Sequence, residues 1–521
     1  MKNLIYIILT LIVAFQFSCS SGFEELNDNP NVPKYWDISP VNLLEETIFS
    51  GADGMRYRTW LFTGELIQYT VSGTSNNAYH RYVIGNSVMA STWNSLLVWA
   101  ANANHMRQLA RLEGKKDVNT EAIALTLRTL YLSNATDIFG DIPCSEAFRS
   151  LPYYDEDNNY VEETTLFPVF DKQEDVYKQL FATLEKANNL FDVNQSIKTP
   201  SKDLIYGGNI AKWKKFNNSL YLRLLMRLSN RSNLKMTVSG DGTQELTVFE
   251  KINEILNDPI KYPVFTSNAD NATIFYSGIT PFINSFGDQT DGAFNGRNAA
   301  EQIVSMMDEQ NDPRISTYFV QRGGAWKGVA SGAGSQDTDS DNSARLNKSV
   351  LGGYTSPYSL MKYDEVLFIL CEAAKLGAIP GGDDAASAYY RSAITESIKY
   401  WVGVDPNKAG ITDEAITNFI DNYAPYDGRL ENILNQKYIA MFWVGYEAWH
   451  DYRRTGFPKL NIGVGTFNDH ILPMRFEYPI NTAKTNPTNY QVAVDRLKAD
   501  YGGGDDMRTP VWWSRAAAAI K

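Results

Sequence analysis

The chain has 521 residues, of which 44% are hydrophobic and 21% charged, with a formal net charge of −12. This composition is typical of a globular protein with a large core. The acidic balance argues against a general surface for nucleic acid or for an anionic membrane.

The first 18 residues predict a signal peptide of the lipoprotein type. Lys2 precedes an apolar run over residues 4–17, which is shorter than the roughly 20 residues that span a bilayer and has the size of a secretory signal. The run stops at Cys19, a junction that resembles a bacterial lipoprotein signal with a lipidated cysteine. Residues 19–40 would then form a lipidated tether. An ordinary cleaved signal with an incidental cysteine stays open.

Helical periodicity dominates the following residues. In "EDVYKQLFATLEKANNLFD", apolar residues recur at steps of three and four from Tyr177 to Phe191 and form one stripe. Each predicted helical hairpin must stack on its neighbours to bury such a stripe. The predicted helices pair as follows: 87–113 with 119–138, 170–193 with 209–231, 363–377 with 385–401, and 412–422 with 429–449.

Two segments, 232–360 and 457–521, differ from the helical parts in composition. They are rich in Gly, Asn, Asp and Ser and contain scattered aromatic residues. Loops of such length inside a compact domain are usually functional or disordered. The predicted fold is mainly α, a tetratricopeptide-like helical hairpin scaffold with a loop-rich irregular second lobe. The predicted parts are scaffold at 41–231 and 361–456, a ligand-binding lobe at 232–360, and a loop-rich C-terminal segment at 457–521 that packs on the lobe.

Two motifs contain helix stop signals. In "IFGDIP", Gly140 allows a positive φ after a helix and Pro143 forbids continuation. In "HDYRRTGFP", Gly456 and Pro458 play the same part, and Asp451 is placed to accept a bidentate bond from an arginine. A structural role is therefore favoured for both motifs over ligand contact.

Five landmarks occur in order along the chain: "FEELNDNPN", "LRTLYLSNATDIFGDIPCSEAF", "GGNIAKWKKFNNSLYLRLLMRLSN", "ENILNQKYIAMFWVGYEAWHDYRRTGFPKL" and "LPMRFEYPINTAKTNPTNY". Together they resemble the SusD/RagB family of outer-membrane nutrient-binding lipoproteins. Thr482 and Ala483 stand near the common glutamate of the last family motif, so that point of the match is blurred.

The resemblance implies nutrient uptake by binding rather than catalysis. It implies a lipid-anchored, surface-exposed protein of the outer membrane that captures oligosaccharides and delivers them to a SusC-like TonB-dependent transporter. Some family members bind peptides instead, so a RagB-like peptide-binding protein is the first alternative. A surface glycoside hydrolase and a scaffold that grips only another protein are further alternatives.

Residue patterns of catalysis and metal binding are weak. The four histidines are scattered, and no HExxH, paired CxxC or Gly-rich phosphate loop occurs. "DTDSDN" at 337–342 mimics half of a calcium loop, but Asn342 and Lys348 stand where glycine and a closing glutamate are expected, so a solvated loop is favoured. We therefore expect no cofactor, metal or catalytic residue. Sixty acidic residues always offer carboxylate pairs, which leaves a hydrolase open. Pairing of Cys144 with Cys371 also stays open.

Candidate ligand residues lie where aromatic rings and amides meet in predicted loops. Sugar rings stack on flat aromatic side chains, and their hydroxyls bind amides, Arg or carboxylates. For each candidate, a place in the core is the alternative. The candidates are Tyr69, Asn76, Asn77, Tyr79, His80 and Tyr82 in "YTVSGTSNNAYHRY", Tyr276 and Phe282 in "TIFYSGITPFINSFGDQ", and Trp326 in "RGGAWKG".

Overall fold

The computed structural model describes residues 38–72, 79–112, 116–155, 159–237, 244–289, 294, 296–333, 342–408 and 410–520. Pro40–Lys521 forms one compact unit. The predicted signal peptide, Cys19 and nearly all of the predicted tether lie outside the described residues.

Helices account for most of the described secondary structure. They are α1 Leu44–Arg58, α2 Gly64–Leu66, α3 Asn86–Arg111, α4 Val118–Phe139, α5 Gln173–Leu190, α6 Ile210–Arg227, α7 Val248–Asn257, α8 Glu301–Glu309, α9 Ile315–Tyr318, α10 Lys348–Leu351, α11 Tyr363–Lys375, α12 Gly382–Val404, α13 Asp413–Asn422, α14 Leu430–Ala440, α15 Glu447–Thr455, α16 Ile480–Thr485, α17 Pro487–Tyr501 and α18 Arg515–Ile520.

Consecutive helices pack side by side as hairpins. The helix α3 packs on α4, α4 on α5, α5 on α6, and α11 on α12. The central helix α4 is buried over almost its whole length, because neighbours cover it on both sides. It begins at Asp117, whose side chain accepts from the Thr120 amide, and ends at Gly140 with φ 86°. The prediction of a mainly α, tetratricopeptide-like scaffold is confirmed.

The single helix predicted over 429–449 is wrong. The structure has two helices there, α14 and α15, separated by residues 441–446. Trp443 has φ 67° and Gly445 has φ 51°, which a right-handed helix does not accommodate. Both helices and the turn are buried, so the apolar pattern continues through the break and hides it. The helix α14 packs on α11 rather than chiefly on α13.

The described residues include ten short strands, which lie mostly between the helices. They are β1 Thr70–Ser72, β2 Tyr153–Tyr154, β3 Tyr160–Val161, β4 Lys235–Thr237, β5 Glu245–Thr247, β6 Ala272–Ile274, β7 Arg297–Ala299, β8 Phe319–Val320, β9 Arg345–Leu346 and β10 Tyr358–Met361. Four of them form an antiparallel sheet in the order β1-β7-β9-β8, in which Ser72 pairs with Arg297, Asn298 with Arg345, and Arg345 with Val320.

A buried cluster of charged side chains joins the two parts of the helical scaffold. Arg223 on α6 donates through Nε and Nη2 to the two carboxylate oxygens of Glu365 on α11, each at 2.6 Å. Arg454 on α15 donates to Asp451 at 2.6 Å and 3.0 Å. Burial alone would raise the pKa of Asp451, but Arg454 and Lys437 outweigh that effect and lower it. The arginine partner anticipated for Asp451 is therefore Arg454 of its own helix, and both of its donors go to one oxygen, Oδ1, rather than to the two oxygens of a bidentate pair.

The last part of the chain contains α16, α17 and α18, although its sequence predicts loops. Only three side chains of α17 are buried, so its apolar stripe is short. This part contacts the helical scaffold through Trp513, whose Nε1 donates to Asp137 Oδ1 at 2.7 Å. It also contacts the loop-rich part, because the Gly465 amide donates to the Gly332 carbonyl at 2.8 Å.

Candidate functional site

An open cleft of about 710 Å³ lies at the β8 end of the four-stranded sheet, where residues of β8 and β9 line it. We call it the Tyr354 cleft. Its size falls within the range of small-molecule sites in proteins. The residues that line it are Gly287, Val320, Arg322, Arg345, Leu346, Asn347, Lys348, Ser349, Gly352, Gly353 and Tyr354.

The ring of Tyr354 is held in place while much of it faces solvent. A Cβ added to Gly287 would come within 2.4–2.7 Å of three atoms of this ring, so the ring rests directly on the Gly287 backbone. The Tyr354 hydroxyl donates to Asp288 Oδ1 at 2.8 Å, and this bond raises the pKa of Tyr354. The residue is nevertheless 47% exposed. A fixed aromatic ring at a cleft wall is pre-organised to stack on a flat apolar face.

Further aromatic rings pack around Phe286, which precedes Gly287 in the chain. The Phe286 ring centroid lies 5.4 Å from that of Trp60. Tyr57 lies 5.7 Å from Trp60 and is 37% exposed. The guanidinium of Arg297 lies 4.3 Å from the Trp60 ring centre, a cation–π distance. Phe286 is buried and Trp60 half-buried, so Tyr57 is the ring of this cluster that faces solvent.

The Tyr354 cleft is also basic. Arg322, Arg345 and Lys348 line it, and none of its lining residues carries a carboxylate. Arg322 is exposed, while the other two are half-buried. One of the three Lys348 donors is used by the Gln289 carbonyl, at 2.7 Å. The cleft wall thus combines an aromatic face with N–H donors.

A second cleft, of about 350 Å³, contains Trp326, and we call it the Trp326 cleft. Trp326 is half-buried and packs partly against the core. Lys408 also lines this cleft and donates to the Ser316 hydroxyl. The lining residues are Asp312, Pro313, Ile315, Ser316, Trp326, Asn407, Lys408, Gly410 and Ile411.

One tight turn separates the two clefts. Arg322 and Ala325 form an antiparallel bridge, with Gly323 at φ 66° and Gly324 at φ 82° between them. Positive φ at both positions is readily adopted only by glycine. Arg322 lines the Tyr354 cleft, and Trp326 lines the other, so a ligand in either cleft borders the same turn.

Two of the predicted ligand tyrosines are in the core. Tyr69 is 3% exposed, its hydroxyl donates to the Tyr438 carbonyl, and burial raises its pKa. Tyr82 is 2% exposed with φ 64°, and burial raises its pKa as well. Their predicted ligand contact stays a prediction, but this burial favours a structural role.

His80 is also enclosed, and its contacts are internal. Its amide donates to Glu65 Oε2 at 2.9 Å, and its Nδ1 accepts from the Gly332 amide at 3.0 Å. Burial and the adjacent Arg81 lower the pKa of His80 to about 4, so the ring is neutral near pH 7. Its position favours a role in joining two loops.

The remaining candidates have mixed positions. Tyr276 is buried, and its hydroxyl donates to Asp53 at 3.3 Å, while Phe282 is half-buried with its centroid 5.3 Å from Phe49. Tyr79 is half-buried at the edge of the core. Their roles as ligand contacts stay predictions. Asn76 and Asn77 lie outside the described residues.

Tyr354 and Tyr57 were missed by reasoning from the sequence, and Arg322 begins the candidate segment "RGGAWKG" but was not singled out. Tyr354 stands in "LGGYTSPYS", where paired glycines beside an aromatic residue resemble the setting that singled out Trp326. That signal was available. The support from Gly287, 67 residues earlier in the chain, was not visible in one dimension.

A third cavity, of about 670 Å³, lies within the helical scaffold between α3, α4 and α5, and we call it the scaffold cavity. A segment of the chain around Tyr154 lies against this cavity. Gln108 clamps the extended backbone of Tyr154, accepting from its amide at 2.8 Å and donating to its carbonyl at 2.9 Å. Arg149 also lines the cavity and lies over the Tyr153 ring. This cavity provides a contrast for tests of the two loop clefts.

Other features bear on metals, thiols and membranes. Within the part of the chain that the structure describes, no group of three His, Cys, Asp or Glu side chains is placed to hold a metal ion. Most of the half calcium loop, residues 337–341, lies outside that part. Cys144 and Cys371 are not joined in a disulfide, and Cys371 Sγ donates to the Ala386 carbonyl at 3.2 Å. Among described helices, none has the length and apolarity needed to cross a bilayer.

Solved structures share this architecture over nearly the whole chain. A chitin-binding protein matches with a TM-score of 0.73 at 23% identity, covering 91% of this chain and 100% of its own. A SusD homologue from Bacteroides fragilis NCTC 9343 matches with a TM-score of 0.74 at 24% identity, covering 91% and 100%. Another from Parabacteroides distasonis ATCC 8503 matches with 0.72 at 23%, covering 92% and 98%. No curated protein matches this chain.

These likenesses establish the class of fold, a tetratricopeptide-like helical scaffold that carries a loop-rich face. A family model described as "SusD-like, starch-binding associating with outer membrane" matches residues 30–479. The chain belongs to this SusD-like family, as its landmarks indicated. At the level of the family, its members are glycan- and nutrient-binding proteins of the outer membrane.

Proposed function

We propose that this protein captures an oligosaccharide at the cell surface and delivers it, without catalysis, to a SusC-like TonB-dependent transporter. Family membership supports the general role. The observation that carries the proposal is the Tyr354 platform, a ring supported by Gly287 and Asp288 that lines an open cleft. Trp326 supplies a second ring on the other side of the Arg322–Ala325 turn.

The composition of the Tyr354 cleft also supports binding without hydrolysis. Glycoside hydrolases use a pair of carboxyl groups on either side of the scissile bond. None of the residues that line the Tyr354 cleft carries a carboxylate. In the Trp326 cleft the carboxylate of Asp312 is engaged by Arg314, whose Nε donates to it at 2.9 Å.

The test of glycan binding is calorimetry on the soluble form with a panel of oligosaccharides. Tyr354→Ala and Trp326→Ala should each weaken the Kd of a bound glycan about 10-fold, because the loss of one stacked ring removes on the order of 1–2 kcal/mol. Tyr423→Ala is the matched control, since Tyr423 is 45% exposed, close to the exposure of Tyr354, and lies at the end of α13.

Three outcomes of this panel would contradict the proposal. The first is that no glycan binds. The second is that neither ring variant differs from the Tyr423→Ala control. The third is shortening of an oligosaccharide during incubation, which would indicate a hydrolase. Binding of peptides, with no binding of any glycan, would favour the peptide-binding alternative.

The lipid anchor and the transporter partner are tested in the native host. We propose that Cys19 carries the lipid, so Cys19→Ser should abolish incorporation of a labelled fatty acid, and protease added to intact cells should cleave the wild-type protein. Co-purification from outer membranes should recover a TonB-dependent transporter, identified by mass spectrometry. Unlabelled wild-type protein would contradict the anchor, and its recovery without that transporter would contradict the partner.

A further inference from the structure

We infer that the glycan taken by the Tyr354 cleft is acidic, a saccharide that carries carboxylate or sulfate groups. This inference rests on the proposed function and names its ligand class. The observation that carries it is the charge of the lining: three of the eleven lining residues are cationic, and none is anionic. The protein as a whole has a net charge of −12, so such a basic wall runs against its overall balance.

The chemistry of the cations fits acidic groups on a sugar ring. A guanidinium has five N–H donors in a planar fork that matches a carboxylate or a sulfate in a bidentate manner. Arg322 is exposed at the cleft wall, so its guanidinium is accessible to a ligand. The ammonium of Lys348 carries its charge at the same wall, where it also donates to the Gln289 carbonyl.

The position of the cations relative to Tyr354 fits a ring that stacks and bears a charge at its edge. Lys348 begins α10, and Gly352 and Gly353 follow that helix directly before Tyr354. Arg345 and Leu346 belong to β9, which leads into α10. One continuous stretch, 345–354, thus supplies two cations and the stacking ring, and Arg322 faces the same cleft from the turn after β8.

The glycines of the lining support close approach of a charged group. Gly287, Gly352 and Gly353 line the same cleft as the three cations, and they present backbone rather than side chain at the wall. A neutral glycan would use the aromatic ring but would forgo the charge-assisted hydrogen bonds that carboxylate or sulfate groups make with these cations. The site should therefore discriminate by charge as well as by shape.

The experiment compares ligands that differ only in charge. Oligogalacturonide and the same oligosaccharide with its carboxylates fully methyl-esterified are titrated against the full soluble form, together with a chondroitin sulfate hexasaccharide and neutral maltoheptaose. We expect at least one acidic saccharide to bind, and the matching methyl-esterified or neutral ligand to bind at least about 10-fold more weakly, since hydrogen bonds to charged groups are the strong ones.

Variants of the cleft locate the effect. Arg322→Gln should weaken binding of the acidic saccharide about 10-fold, whereas Arg322→Lys, which keeps the charge but not the planar fork, should weaken it less. Arg149→Gln is the matched control, since it makes the same change of charge in the scaffold cavity. Arg322 is exposed, so its variants should fold, and circular dichroism melting of each variant checks this.

The outcomes separate this inference from the proposed function. A neutral glycan that binds as tightly as its acidic counterpart, and is lost in Tyr354→Ala but not in Arg322→Gln, would overturn the acidic ligand and leave glycan capture intact. Weakening by Arg149→Gln rather than by Arg322→Gln would also overturn the inference, because the charge would then act elsewhere. Binding of acidic peptides with no response to any saccharide would overturn both.

Discussion

Gly287→Ala tests whether Tyr354 is a supported platform, because it changes a residue beneath the ring rather than the ring itself. The alanine Cβ would lie 2.4 Å from the nearest ring atom, whereas ordinary contacts of this kind begin near 3.4 Å. The ring must therefore move by about 1 Å, and a displacement of that size forfeits a large share of the contact energy of a stacked surface. It also strains the hydroxyl bond to Asp288.

The expected effect is a loss of affinity with little loss of stability. Gly287 has no positive φ, so alanine is compatible with its backbone, and Tyr354 is half-exposed. We expect the free energy of unfolding to fall by less than about 1 kcal/mol and the Kd for the glycan to rise about 10-fold. Gly403→Ala is the control, because its Cβ would meet nothing within 4 Å.

Calorimetry on the two single variants and the double variant measures the coupling. Gly287→Ala and Tyr354→Ala act on the same contact, so the double variant should bind no more weakly than Tyr354→Ala alone. If Gly287→Ala binds like the wild type while Tyr354→Ala is weak, or if the two effects add, the ring does not depend on its support and the reasoning is refuted.

Two further predictions concern buried groups in the scaffold and in its loops. His80→Asn keeps an acceptor for the Gly332 amide but does not titrate. Because folding lowers the pKa of His80 from 6.5 to about 4, the unfolded protein binds more protons than the folded one between these pH values, and the folded state loses stability as the pH falls. Urea titrations should show that the free energy of unfolding of the wild type falls by about 2 kcal/mol more than that of the variant from pH 7 to pH 5, whereas equal losses would contradict the lowered pKa. Arg223→Met leaves Glu365 buried without this partner and should lower the free energy of unfolding by roughly 3–5 kcal/mol. Arg391→Met, which breaks an exposed ion pair, is the control and should lower it by less than about 1 kcal/mol. Similar losses for the two variants would refute a buried charge at Glu365.

Much of the fold could be predicted from the sequence because amphipathic helices repeat their signal. The stripe from Tyr177 to Phe191 requires only local periodicity, and the observed helix α5 agrees with it. The break at Trp443 and Gly445 could not be predicted in this way. The segment around it is buried on every side, so apolar residues do not alternate with polar ones and the pattern does not show where a helix ends. The helix α17 was predicted as loop for the opposite reason, because only three of its side chains are buried and its apolar stripe is short.

The candidate site was partly predictable for a different reason. Trp326 was singled out by its glycine neighbours, which mark a loop, and it lies in a cleft. Tyr69 and Tyr82 stand in an equally polar stretch, yet both are buried, because local composition does not show which rings other segments cover. The platform at Tyr354 depends on contact with Gly287, and such long-range packing is not encoded in any local pattern.

The hydrogen bond from Trp513 to Asp137 spans 376 positions along the chain. Tyr177 donates to the same carboxylate, and Arg227 lies beside it, so the pocket around Asp137 is assembled from an early helix and closed by a very late residue. The pocket around Asp137 is therefore complete only when residue 513 is in place, and a chain shortened before that point would leave the carboxylate without its indole donor.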